Sequence, residues 1–101
     1  MTAIITKEMF SENVNTKFEL RTETPGPVEL ELVQLTEGAA SPRHEQFALL
    51  FRGPQDKFLQ QSTYQLHHER LGELEIFLVP VGRDQQGFQY EAVFNRLLEA
   101  D

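Results

Sequence analysis

Three short segments between Thr63 and Asn95 constrain this chain more than anything else in it. Thr63–His68, Leu74–Val81 and Gln89–Asn95 are rich in apolar, β-branched and aromatic residues, and only Glu69–Glu73 and Gly82–Phe88 separate them. Residues that alternate in character with a period of two place successive side chains on opposite faces of a strand. Three such strands joined by short polar connections predict an antiparallel β-meander. Leu74–Val81 carries apolar residues at both parities and is the predicted centre of the fold.

The N-terminal half continues the pattern. Thr6 followed by Lys7, Glu8, Met9 and Phe10 predicts a short capped helix. From Asn13 to Thr24 the period becomes two, with Val14, Thr16, Phe18 and Leu20 on one face and Asn15, Lys17, Glu19 and Arg21 on the other. Pro25-Gly26-Pro27 forces a turn, and a second strand follows at Val28–Thr36, whose Glu29 and Glu31 are expected beside the Lys17/Arg21 face. Glu37–Arg43 is a breaker-rich surface loop expected to join two halves of the sheet system. Gln46–Arg52, apolar on both faces and ended by Gly53-Pro54, is a third strand that is central or covered. In the connection Gln55–Ser62, Phe58 and Leu59 are placed to plug the end of a barrel. The expected fold is mainly β: an antiparallel six-stranded barrel or two-layer sandwich with a C-terminal meander and a short N-terminal helix.

A chain of 101 residues with 40% hydrophobic content has material for one core, so residues 1–101 are expected to form a single small β domain. The formal net charge of −7 disfavours nucleic acid, whose affinity for proteins comes largely from Lys and Arg displacing counterions. The nine basic residues are scattered, so no polybasic membrane anchor forms either. With no cysteine, disulfides, thiolate metal sites and Cys nucleophiles are excluded. No window approaches a membrane-spanning length of apolar residues and no leader pattern is visible, so the expected location is the cytoplasm.

The residue types that carry chemistry are thinly spread. His67-His68-Glu69 combines imidazoles and a carboxylate, which can bind zinc or move protons, but neighbours on a strand point to opposite faces and do not chelate one ion without a bulge. One histidine is expected on the solvent face and the other packed near Tyr64 and Leu66. His44 beside Glu45 reads as a surface pair. Arg52, leaving an apolar strand, is suited to gripping a carboxylate, and Glu91 is its expected partner. Glu73 and Glu75 share a face beside a turn and read as a solvated acidic edge. Ser11, Ser41 and Ser62 lie in no nucleophile elbow, and the six glycines are spaced singly at turns rather than in a phosphate loop. No catalytic, cofactor or metal residue is assigned; Arg52, His44, His67, His68 and Glu91 remain as the set from which a polar site would be drawn.

Taken in order, Phe47–Pro54, Thr63–His68, Leu71-Gly72, Phe77–Gly82 and Tyr90–Asn95 resemble a family of short, uncharacterised bacterial proteins. The resemblance implies no activity and no site residues. It does imply an assembly, adaptor or chaperone-like role, since genes of such proteins can sit near ones resembling phage-tail collar or tail-fibre proteins. The leading expectation is a non-enzymatic module that binds another protein or itself through a sheet edge or apolar patch. A barrel holding a small apolar ligand is the alternative, followed by a hydrolase or metal-dependent enzyme built on His44, His67 or His68.

Overall fold

The computed structural model describes residues 7–20, 28–38 and 44–97, apart from the side chains of residues 44, 45, 96 and 97. Its elements are α1 (Lys7–Ser11), β1 (Lys17–Leu20), β2 (Val28–Glu37), β3 (His44–Gly53), β4 (Ser62–His68), β5 (Gly72–Asp84) and β6 (Gly87–Leu97). The six strands form a closed antiparallel barrel in the order β1-β2-β3-β6-β5-β4. Two three-stranded meanders are thus joined twice, by pairing of β3 with β6 and of β1 with β4. The barrel, not the sandwich, is the form the sheet takes. The 37–43 loop connects neighbouring strands within the first meander, so the expectation that it links two halves is wrong. The passage between halves is the later connection from Pro54 to Gln61.

Alternation decides which side chains fill the barrel. Phe18 and Leu20 of β1, Leu30 and Leu32 of β2, Leu49 and Phe51 of β3, Leu66 of β4, Ile76 and Leu78 of β5, and Tyr90 of β6 are all essentially inaccessible. Phe18 and Phe51 meet edge to face at 5.3 Å inside. The outward positions of the same strands stay at least partly open, and this overturns the two-faced reading of Leu74–Val81: Leu74, Ile76 and Leu78 point in, while Phe77 and Val81 are about half exposed, at 49% and 50%. Pro80 is accommodated where the β5–β6 register shifts between Pro80 and Gly82.

One end of the barrel is closed by α1. A helix of five residues is far too short to persist alone. It is held by Phe10, whose buried ring lies 5.5 Å from Phe94 and 6.1 Å from Phe47, themselves stacked at 4.9 Å. The Asn13 amide donates to the Met9 carbonyl at 2.7 Å, and Asn15 turns the chain with a positive φ of 75°. The predicted strand from Asn13 therefore begins only at Lys17. Its Arg21–Thr24 part, Thr6 as a cap, and the Pro25–Pro27 turn lie outside the described residues.

The opposite end is sealed by the 54–61 connection. Leu59 is buried, and its N–H donates to the Tyr90 hydroxyl at 2.9 Å. Phe58 does not plug the barrel as expected; it is 52% exposed and rests edge-on against Phe88 at 5.2 Å. Here β3 and the β5–β6 turn approach so closely that a Cβ on Gly87, which has a φ of 148°, would stand 1.9 Å from the Gly53 carbonyl oxygen.

Candidate functional site

The outer face of the barrel divides into a polar row and an apolar patch, and strand register places both. Lys17 on β1 faces Glu31 on β2, Glu31 faces Arg52 on β3, and Arg52 faces Gln89 on β6. Beside this row an open cleft of about 710 Å³ is lined by Lys17, Glu29, Glu31, Arg52, Asp56 and Lys57, among others. Its charges are of both signs and already engaged in part. Lys17 Nζ lies 3.6 Å from Glu29 Oε1, as the alternation predicts, whereas Arg21 is outside the described residues.

Arg52 meets a carboxylate other than the expected one. Glu91 sits opposite Leu50 and Val79, two positions along β6 from the arginine's own partner Gln89. Asp84 is the acid near Arg52, with Oδ2 at 3.8 Å from the guanidinium. Asp84 is aimed by its turn: Oδ1 accepts the N–H groups of Gln86 at 2.8 Å and Gly87 at 3.1 Å, and Oδ2 accepts the Gln89 amide at 3.0 Å. The Asp84-Gln85-Gln86-Gly87 sequence, an acid opening a turn that ends in glycine, is a signal that the sequence reading did not use.

The two adjacent histidines of β4 lie on opposite faces. His67 is partly exposed, and its Nδ1 is 3.6 Å from Glu73 Oε2, beyond hydrogen-bond reach. His68 is buried, with its ring centroid 4.4 Å from that of Phe18. Its Nδ1 accepts the backbone N–H groups of Arg70 at 3.0 Å and Leu71 at 3.1 Å. Nε2 lies 2.8 Å from Thr16 Oγ1, which itself donates to the Asn13 carbonyl at 2.6 Å. Burial, with the positive charge of Arg70 as the next cause, lowers the pKa of this imidazole below its usual 6.5. His44 opens β3 opposite Leu97, at the end of the longest ladder. Among the described residues no group of three or more His, Asp or Glu side chains is placed to hold a metal ion.

The apolar patch escaped the sequence reading, because an outward Phe or Val looks the same in sequence as an inward one. Val93 is 68% exposed and pairs with Ala48. One rung along, Leu50, Glu91 and Val79 stand in line across β3, β6 and β5. Phe77 follows two residues from Val79 on the same strand. A single carboxylate, Glu91, thus lies amid Ala48, Leu50, Val79 and Val93. Glu73 and Glu75 are exposed nearby on β5.

Among the described residues no helix is long and apolar enough to cross a membrane. Comparison with curated proteins and with solved structures gives no match. A family model does match: residues 5–94 fit a domain of unknown function, DUF6916, and the chain belongs to that family.

Proposed function

We propose that this domain is a non-enzymatic interaction module that docks onto another protein, or onto a second copy of itself, through the outer face of β3, β6 and β5. The observation that carries this reading is the outward apolar set Val93, Phe77, Val79 and Leu50, which the core does not need and water does not favour. Elsewhere on the solvated face alternation delivers polar residues such as Lys17, Glu29 and Gln65. The alternative of an apolar ligand inside the barrel has less support, because inward Phe, Leu, Ile and Tyr side chains occupy that space. An enzyme built on histidines is weakened by the engagement of both His68 nitrogens in holding turns. In its finer form the proposal is of a cytoplasmic assembly component, joined to a tail-like or surface structure.

The test compares the intact protein with a Phe77→Ser/Val93→Ser variant by sedimentation and by pulldown from the native host. Surface changes of this kind alter stability by about 0.5 kcal/mol or less, so the variant should fold normally and lose the dimer or the retained partner. A strictly monomeric wild type that retains no protein overturns the proposal, as does a partner held equally by both forms.

A further inference from the structure

The His68 side chain ties the β4–β5 turn to Thr16, which leads from the turn after α1 into β1, adding to the β1–β4 and β4–β5 ladders that meet beside it. Each of its polar atoms has a defined role. Nδ1 accepts two backbone N–H groups, from Arg70 and Leu71, so it carries no proton. The Thr16 hydroxyl gives its hydrogen to the Asn13 carbonyl, so Nε2 must be the donor in the Thr16 contact. The neutral Nε2–H tautomer is thereby fixed. A second proton has one place to go, Nδ1, where it would confront the two N–H groups now pointing at that atom.

We propose that His68 is an acid-released latch: protonation at Nδ1 expels the Arg70 and Leu71 N–H groups, frees the β4–β5 turn, and loosens the α1-side end of the barrel while the β3–β6 ladder stays intact. The charged groups around the ring divide in their effect. Arg70 and His67 oppose its protonation, and Glu69 favours it. From the segment after α1 and from β1 the ring is met by Thr16 and Phe18, neither of which titrates near neutral pH, and its cross-strand partner on β5 is Gly72.

The direction follows from linkage. In the latched state burial depresses the imidazole pKa, while in the released state the ring returns to its ordinary value of 6.5. Above that pH both states are neutral and the latch is fully effective. As the pH falls below it the released state gains the proton first, and the opening constant rises by about tenfold per pH unit until the latched state protonates too.

Amide hydrogen exchange on the full chain, read by NMR from about pH 7 to about pH 5 and corrected for intrinsic rates, tests this. Protection at Arg70 and Leu71 should hold above about pH 6.5 and then fall, approaching about tenfold per pH unit below it, with the amides of Leu49 and Tyr90 unaffected. His68→Asn offers a side-chain oxygen in the place of Nδ1 to the same N–H groups and does not titrate, so its profile should be flat. Parallel loss of protection in β3 and β6, unchanged protection at Arg70 and Leu71, or ring nitrogen shifts placing the neutral-pH proton on Nδ1 would each overturn the latch. The wild-type profile and ring shifts suffice if His68→Asn does not fold.

Discussion

Tyr90 shows how much a single polar atom can organise when it sits at the bottom of an apolar barrel. Its ring packs with the core, burial raises its phenol pKa, and its oxygen receives the only donor that the buried Leu59 backbone presents. Replacing Tyr90 by Phe keeps the shape and leaves that N–H without a partner in a site closed to water. The expected cost is about 1–3 kcal/mol, seen as a lower denaturant midpoint with an unchanged slope. At this scale sequence was informative about faces, and about partners only where they lie across a short hairpin, as Lys17 and Glu29 do. Period two alone separates His67 from His68, yet Arg52 finds Asp84 rather than Glu91 because a turn aims the aspartate. Turn geometry of that kind is a backbone property that strand alternation does not encode.

The elements differ in how they are sustained. β5 and β6 hold themselves in long ladders, whereas α1 exists because Phe10 has a place between Phe47 and Phe94. Phe10→Ala should remove about 3–5 kcal/mol and release the helix, observable as lost protection in residues 7–13 with the ladders of β3 and β6 retained. All six strands were legible in the sequence, because each shows apolar alternation and most have Gly or Pro close to a border. Their ends were not. β1 starts late because Asn13 and Asn15 are taken up in ending α1, and β5 runs past Val81 because a register shift absorbs Pro80.

For the molecule as a whole, closure was the undetermined quantity. A barrel and a sandwich share the same alternation, and only the pairings of β1 with β4 and β3 with β6, between residues far apart in sequence, distinguish them. Those two pairings have a further meaning. Exchange β1 for β4, β2 for β5 and β3 for β6, and the strand order is unchanged; the topology is that of an isologous dimer written on one chain. Each meander lacks the edges it needs until the other supplies them, and a three-stranded sheet with one apolar face has little independent stability. Cleaving between Asp56 and Lys57 should therefore give two fragments that are unstructured apart and recover β-sheet circular dichroism when mixed in equal amounts. In terms of chain connectivity, one linker is all that separates this domain from two half-length chains closing a single barrel.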